Sequence, residues 1–393
     1  MMGIDYELLT VASYAKSATL TDQGSESRSL NFPLLGLYGE TGSLLSVVKK
    51  KQRDSASYLG YAEAVVEELG DVLWYLTAVA RRGGICLSSI AAGCLDSARG
   101  NWGRPDMAVT FEALQPDLIK HDGAPTPAFE ATLLQLAGEV GAVLADHHAG
   151  KLDDNQAAFA DHLVTVLRCL IKAANEAGVT LEAAAIKNIT KIFDRWPKER
   201  IYPPFFDTTS DLDEQLPRSL VIDIFEKKVR DKAFVLQRCG GIFVGDRLTD
   251  NAVEPDDYRF HDVFHFAYVA VLGWSPVIRA LLKLKRKGEP AVDEAQDGAR
   301  ATLIEEGVTT WIFGQAQRLN FFAGLKPGDL PLDMLNHVRD FVAGYEAAEC
   351  PLWVWEEAIL QGYAAFRFLQ KHRRGRITVD LANRRLTIRE LPI

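Results

Sequence analysis

Cysteine is scarce in this sequence, and its arrangement excludes several classes of protein. The 393 residues contain five cysteines, which are widely separated and never spaced as C-x-x-C. This spacing argues against a disulfide-stabilised secreted domain and against a zinc knuckle. We therefore expect reduced thiols and a cytoplasmic location.

Long apolar runs, a signal-like N-terminus and an excess of positive charge are also missing. No run approaches the roughly 18 to 20 apolar residues of a membrane helix, and the first residues show no basic region followed by an apolar stretch. The formal net charge of −9 disfavours an extended nucleic-acid surface. A hydrophobic content of 48% with 25% charged residues predicts a soluble, globular chain with more than one domain.

The sequence contains mostly helical patterning, which is interrupted at two places. Residues 1–99 form long amphipathic stretches, and a segment rich in Pro and Gly at 100–128 separates them from helical residues that end at Trp196-Pro197. After a second break, residues 233–243 and the tail from Arg376 alternate with period two and predict short hairpins. A mainly helical block lies between these two hairpins.

Two short repeated motifs indicate a duplication in the first half of the chain. Gly39–Gly42 (GETG) recurs about 100 residues later as Gly138–Gly141 (GEVG), and Gly84–Leu87 recurs at nearly the same offset as Gly178–Leu181. We predict a mainly α fold, with a tandem four-helix unit followed by a mostly helical C-terminal domain with short β-hairpins. The predicted domains are 1–115, 116–200 and 201–393.

Acidic side chains lie at the edge of the apolar stripes of two predicted helices. Residues 37–48 place Glu40 at that edge, and residues 65–80 place Glu68 and Asp71 there. Carboxylates that converge from two packed helices repel one another and raise their pKa values. A divalent cation with oxygen ligands, Mg²⁺ or Mn²⁺, would remove the repulsion. A solvated helix face is the ordinary alternative.

The residues around these acids resemble the all-α nucleoside triphosphate pyrophosphohydrolases of the MazG type. The resemblance is carried by Gly39-Glu40-x-Gly42 before Lys49–Lys51 and by Glu67-Glu68-Leu-Gly-Asp71, and it covers roughly residues 30–197. It implies that Mg²⁺ is bound by Glu40, Glu68 and Asp71. The catalytic residues that it implies are Glu40, Glu67, Glu68 and Asp71. The sequence departs from the family at Ser43, where a second Glu is usual.

The second helical unit lacks the acids but keeps a basic, amide-bearing end. Residues 187–197 (KNITKIFDRWP) look like the family's last helix, whose Lys, Asn and Arg contact the phosphates and the nucleotide. The substrate-binding residues implied by the resemblance are Lys49, Lys187, Asn188, Lys191, Arg195 and Trp196. We predict one site per chain, built from both helical units. A solvated basic helix end, favoured by the helix dipole, is the ordinary alternative.

A second cluster lies in the C-terminal block, which resembles a domain found fused to MazG-type modules. His261 and His265 are four residues apart, so a helix would present both imidazoles on one face. Two histidines and a carboxylate can bind Zn²⁺, Mn²⁺ or Fe²⁺, whereas satisfied core histidines are the ordinary alternative. The candidates for this second site are Asp250, His261, Asp262, His265 and Glu305.

The resemblance implies a Mg²⁺-dependent hydrolase that cleaves a nucleoside triphosphate to the monophosphate and pyrophosphate. The alternative is a nucleotide-sensing regulatory protein, with a degenerate MazG unit and a separate metal-dependent or assembly role in the C-terminal domain. Units of this family pair to close a four-helix core. Here the two unlike units of one chain can pair with each other. We still expect a homodimer or larger homo-oligomer, because the C-terminal block ends in a hairpin and an apolar, Trp-rich helix at Leu352–Trp355, and we expect no membrane partner.

Overall fold

The computed structural model describes residues 9–22, 29–95, 102–104, 108–116, 118, 125–152, 155–230 and 232–391. The chain divides into two compact units, residues 1–193 and 194–393. Each unit has its own hydrophobic core. No disulfide bond joins the cysteines of these residues.

The first unit is helical throughout its described residues, apart from turns and a single isolated bridge between Thr10 and Thr110. Its helices are α1 (Val11–Thr19), α2 (Asn31–Asp54), α3 (Tyr61–Arg82), α4 (Leu87–Cys94), α5 (Phe111–Leu114), α6 (Pro127–His148), α7 (Gln156–Ala177) and α8 (Leu181–Arg195). The four long helices α2, α3, α6 and α7 pack on one another. The last two residues of α8 are counted with the second unit.

The predicted apolar stripes form the core of this unit. Leu37 and Leu44 of α2 and Leu69 and Leu76 of α3 are fully buried, and they share one core with Leu136 of α6. The predicted division at residue 115 therefore separates two helix pairs of one compact unit rather than two separate bodies. Part of the predicted connection at 100–128, including Pro105 and Gly123, lies outside the described residues.

The second unit combines helices with a five-stranded antiparallel sheet of order β3-β2-β1-β4-β5. The strands are β1 (Ser219–Val229), β2 (Lys232–Cys239), β3 (Ile242–Leu248), β4 (Arg374–Asp380) and β5 (Arg385–Arg389). The mainly α fold with short hairpins is thus confirmed. The central strand β1, which the sequence did not predict, joins the two hairpins because it pairs with both β2 and β4.

The described residues of the second unit form six α-helices, and the first of them is buried along its whole length. They are α9 (Asp262–Leu272), α10 (Pro276–Leu282), α11 (Pro290–Ala295), α12 (Ala299–Arg318), α13 (Leu332–Phe341) and α14 (Leu352–His372). The sequence of α9, DVFHFAYVAVL, is apolar on nearly every side, as expected for a core helix. It packs against α14 and also contacts α10, α12 and the sheet.

Two parts of the described chain reach the length and hydropathy of a membrane span. They are α6 and, if counted together across a bend of 105°, the segments Tyr258–Leu272 and Pro276–Leu282. In α6, Leu133, Leu136 and Val140 are buried in the core of the first unit.

Candidate functional site

Three carboxylates from two helices of the first unit meet at one point. Glu40 comes from α2, and Glu68 and Asp71 come from one turn of α3. One carboxylate oxygen from each lies within 4.8 Å of those from the other two. All three residues are partly exposed, so the cluster is open to a ligand from solvent.

Negative charge is in excess in this cluster. Burial, together with the charges of Asp71 and Glu40, raises the pKa of Glu68 to about 7. Burial and the charge of Asp71 likewise raise the pKa of Glu40. Since each acid makes ionisation of its neighbours harder, a cation at this point would be bound favourably.

Helix α8 brings a cation and an amide to the same carboxylates. The Lys191 ammonium lies 2.7 Å from Asp71 Oδ2 and 2.8 Å from Glu67 Oε1. The Asn188 amide donates to Asp71 Oδ1 at 2.9 Å. Burial lowers the pKa of Lys191, but the charge of Asp71 and the hydrogen bonds to Asp71 and Glu67 outweigh it and leave that pKa raised. Residues that are far apart in sequence therefore share one site.

Two residues that sequence reasoning missed hold α8 in this position. The hydroxyl of Tyr14, which is fully buried, donates to Asn188 Oδ1 at 3.2 Å and so turns the Asn188 amide nitrogen toward Asp71. A Cβ atom on Gly70 would lie 2.5 Å from the Ala184 carbonyl oxygen. Glycine therefore permits the close approach of α3 and α8. Tyr14 lies in α1, before the region of the resemblance, and nothing in the sequence singles it out.

Ser43 stands at the position of the family's second Glu, beside Glu40. Its side chain lowers the pKa of Glu40 and opposes part of the increase caused by burial. Ser43 lies one turn of α2 after Glu40 and is partly exposed. Unlike a glutamate, a serine at this position adds no negative charge to the cluster.

The other predicted substrate-binding residues are placed differently. Lys49 and Lys187 are exposed, and neither is among the side chains that meet the carboxylates in the described part of the chain. Arg195 is only 4% exposed, and its guanidinium donates to the carbonyl oxygens of Gly328, at 2.9 Å, and of Leu330. It also stacks over Trp196 at 4.7 Å. These contacts join residues within the second unit. Substrate binding by Arg195 and Trp196 stays a prediction.

The two predicted histidines of the second unit also come together. His261, at the start of α9, and His265, within it, have ring centroids 5.8 Å apart. The carboxylate that joins them is Glu306 of α12, since a ligand atom from each of the three lies within 4.8 Å of the others. The carboxylate predicted from the sequence was its neighbour Glu305. Successive residues of a helix point about 100° apart, so only the packing of α12 decides between them.

Glu305 contacts the same histidine from the other side. Its Oε1 lies 2.8 Å from His265 Nδ1, and Glu305 and His265 are both fully buried. Burial lowers the pKa of His265, but Glu305 and then Glu306 outweigh it and raise that pKa to about 10. In the metal-free chain, His265 and the two carboxylates therefore form a charged group.

The second unit matches a known family over nearly its whole length. Residues 201–392 match the model of the MazG C-terminal domain. The chain is related to MazG proteins through this C-terminal domain. No curated protein matches the chain, and no solved structure matches it. The family points to a nucleotide-related function, and the match begins after α8, so the first unit lies outside it.

The remaining predicted acids of the MazG C-terminal domain have other partners. Asp250 accepts a hydrogen bond from the backbone N–H of Arg259 at 3.1 Å and also contacts the Arg259 guanidinium. Asp262 accepts a hydrogen bond from Gln237 and lies 3.2 Å from His261 Nε2. Asp250 therefore holds the turn before α9 in place, and Asp262 lies next to the histidine pair.

Proposed function

We propose that the first unit of this MazG-related protein is a Mg²⁺-dependent pyrophosphohydrolase, which converts a nucleoside or deoxynucleoside triphosphate to the monophosphate and pyrophosphate. The observation that carries the proposal is the meeting of Glu40, Glu68 and Asp71 with Lys191 at one open point. A triphosphate site requires two kinds of group: acids that hold a metal ion, and a cationic side chain that offsets the charge of the phosphates.

The carboxylate cluster suits a hard divalent cation. All three donors are carboxylate oxygens, which Mg²⁺ and Mn²⁺ prefer over softer metals, and the raised pKa of Glu68 reflects excess negative charge that a cation would offset. Glu40, Glu68 and Asp71 would hold the ion. When bound, Mg²⁺ polarises phosphoryl oxygens and lowers the pKa of a water molecule.

Lys191 is proposed to bind the phosphates beside this cluster. An ammonium group has three N–H donors, and Asp71 and Glu67 engage two of those of Lys191, which leaves one for a phosphate oxygen. A triphosphate carries a charge of about −4, which one divalent ion offsets only in part. Lys191 supplies further positive charge, and Asn188 keeps Asp71 in place.

Glu67 is the proposed proton acceptor. It lies outside the group of three carboxylates, and its side chain is 38% exposed while it contacts Lys191. A water oxygen would form a bond to the α-phosphorus as the bond between that phosphorus and the α–β bridging oxygen breaks. Pyrophosphate leaves with the bridging oxygen, and Glu67, or Glu40 in its place, takes the proton from the water.

The full chain should release pyrophosphate from one or more nucleoside triphosphates when Mg²⁺ is present. We expect Glu68→Gln and Asp71→Asn to lower this rate at least 100-fold, because each removes a charge from the metal-binding group. Glu63→Gln, an exposed acid in the first turn of α3, is the matched control and should retain the wild-type rate. Pyrophosphate and orthophosphate are measured separately with each of the common ribonucleoside and deoxyribonucleoside triphosphates.

The second candidate function is nucleotide sensing without turnover. The observation that favours it is Ser43, which supplies a neutral hydroxyl beside Glu40 where the resemblance implies another acid. Saturable binding of a triphosphate with Mg²⁺, with no pyrophosphate release above the Asp71→Asn background, would support sensing and contradict the proposed hydrolase. Release that is unchanged in both acid variants would place the activity elsewhere in the chain.

A further inference from the structure

We propose that His261, His265 and Glu306 form a binding site for a divalent transition metal ion, and that Zn²⁺ fits this set of ligands best. Their potential ligand atoms lie within 4.8 Å of one another. Two imidazoles and one carboxylate are a ligand set that Zn²⁺ accepts, whereas Mg²⁺ prefers oxygen ligands alone. The site belongs to the second unit and does not depend on the proposed pyrophosphohydrolase activity.

Both imidazole rings are turned so that the same nitrogen faces the site. His261 Nδ1 lies 2.9 Å from the Tyr258 carbonyl oxygen, and His265 Nδ1 lies 2.8 Å from Glu305 Oε1. Carbonyl and ionised carboxylate oxygens only accept hydrogen bonds, so each Nδ1 carries the hydrogen. In the neutral rings the lone pairs are then on Nε2, and the Asp262 carboxylate lies beside that atom of His261, with Oδ1 at 3.2 Å. A histidine that ligates a metal usually donates its other ring N–H to a carbonyl or carboxylate oxygen in this way.

Glu305 is held as a positioning residue for His265. The Ser275 hydroxyl donates to Glu305 Oε1 at 2.6 Å, and the Val277 backbone N–H donates to Oε2 at 2.8 Å. Both oxygens of this fully buried carboxylate are therefore engaged. Glu305 cannot turn toward the metal position without breaking these bonds, and Glu306 is the carboxylate that lies within reach of both histidines.

The His265 Nε2 atom is buried and has no hydrogen-bond partner among the described residues. Its closest oppositely charged atom is Glu306 Oε2 at 3.5 Å. Two ligand atoms at about 2.1 Å from a tetrahedral ion are roughly 3.4 Å apart, which is close to this separation. An ion between them would satisfy the buried nitrogen and the carboxylate together.

The site has a closed side and an open side. The His265 side chain is fully buried, and the Tyr258 ring stacks on His261 with the ring centroids 4.5 Å apart. The Glu306 side chain is 39% exposed, so an ion can enter beside it. Three protein ligands leave one position of a tetrahedral ion for a solvent molecule or a further ligand.

A proton on His265 Nε2 is the competitor of the metal. With that proton, His265 forms a buried ion pair with Glu305 and Glu306, and the group needs no metal ion. Metal binding requires the proton to leave, so the two arrangements exclude each other. Direct metal binding therefore distinguishes them.

The test is titration of the chelator-treated full chain with Co²⁺ and Zn²⁺ in the absence of Mg²⁺. We expect the wild type to bind Zn²⁺ at a single site in this unit, and bound Co²⁺ to show the visible absorption of a tetrahedral N/O site. His261→Ala and Glu306→Gln each remove a ligand. Each should weaken binding roughly tenfold or more and remove the Co²⁺ absorption, while the far-UV circular dichroism stays that of the wild type.

Two variants serve as controls. His337→Ala removes an exposed histidine of α13, and Glu68→Gln disables the carboxylate cluster of the first unit; both should keep the absorption of the wild type. The proposal is overturned if the wild type binds neither ion, or if His261→Ala and Glu306→Gln bind both as tightly as it does. Loss of the absorption in Glu68→Gln would assign the bound metal to the first unit and also overturn the proposal.

Discussion

At the scale of single residues, helical periodicity determines the positions of the side chains that could be predicted. Packing between distant elements determines the positions of those that could not. The stripe-edge positions of Glu40, Glu68 and Asp71 follow from helical periodicity, and the structure brings all three together. Tyr14 and Glu306 depend on how distant elements pack. Periodicity carries no information about such packing, so the place of these two residues in the sites could not be predicted from the sequence.

The raised pKa of Glu68 predicts how the metal-free chain responds to pH. This pKa is about 7 in the folded chain against an ordinary value of 4.5, so the folded state binds more protons between these values. The stabilisation is fully present below about pH 4.5 and is lost as the pH rises through about 7. With a chelator present, the free energy of unfolding should fall over this interval.

Glu68→Gln should remove this part of the pH dependence. We expect the variant to be more stable than the wild type at pH 8 without metal, by about 1 to 2 kcal/mol after allowance for solvent screening. Added Mg²⁺ should stabilise the wild type but not the variant. Chemical denaturation followed by circular dichroism measures both effects, with Glu63→Gln as the control. A variant less stable than the wild type at pH 8 in chelator would contradict the charge excess.

At the scale of secondary-structure elements, local patterns predicted the helices and the two hairpins but not how they assemble. The strands on either side of Gly240-Gly241 and the terminal hairpin alternate in sequence and are observed as β2–β3 and β4–β5. The strand β1 was missed. In β1, Asp223 interrupts a run of apolar residues and pairs across the sheet with Arg238 and Arg376. Those partners are identifiable only once the sheet is known.

The close packing of α3 on α8 predicts a specific effect of Gly70→Ala. The new Cβ atom would lie 2.5 Å from the Ala184 carbonyl oxygen and 2.9 Å from Asn188 Cβ, so α8 must shift. We expect a loss of about 1 to 3 kcal/mol of stability and reduced pyrophosphate release, because Asn188 and Lys191 move with α8. Thermal unfolding and the release assay measure the two effects.

Gly138→Ala is the matched control for this substitution. Gly138 is exposed within α6, and nothing lies within 4 Å of its added Cβ atom. Alanine there should stabilise the helix by about 0.5 to 1 kcal/mol and leave the release rate unchanged. If Gly70→Ala behaved like Gly138→Ala in both measurements, the close approach of α3 and α8 would not matter for the site.

At the scale of the whole molecule, the chain consists of two compact units, each with its own cluster of side chains that could hold a metal ion. The first carries an all-oxygen carboxylate cluster with a lysine, and the second, the MazG C-terminal domain, carries a histidine–carboxylate cluster. The acids of the first helical segment and the basic end of the second predicted that one site would draw on both segments. Lys191 lies beside Asp71 and Glu67, as this hypothesis expects, whereas Arg195 donates to carbonyl oxygens of the second unit. The predicted homo-oligomer and cytoplasmic location stay predictions.

The most direct test of the account is the kcat/KM for pyrophosphate release of Lys191→Ala, compared with the wild type and with Lys172→Ala, which removes an exposed lysine of α7. A site built from both helical segments predicts a loss of roughly 1.5 to 3 kcal/mol of transition-state stabilisation, or about 10- to 150-fold in kcat/KM. Lys172→Ala should match the wild type. A wild-type kcat/KM in Lys191→Ala, with Asp71→Asn inactive, would contradict the shared site.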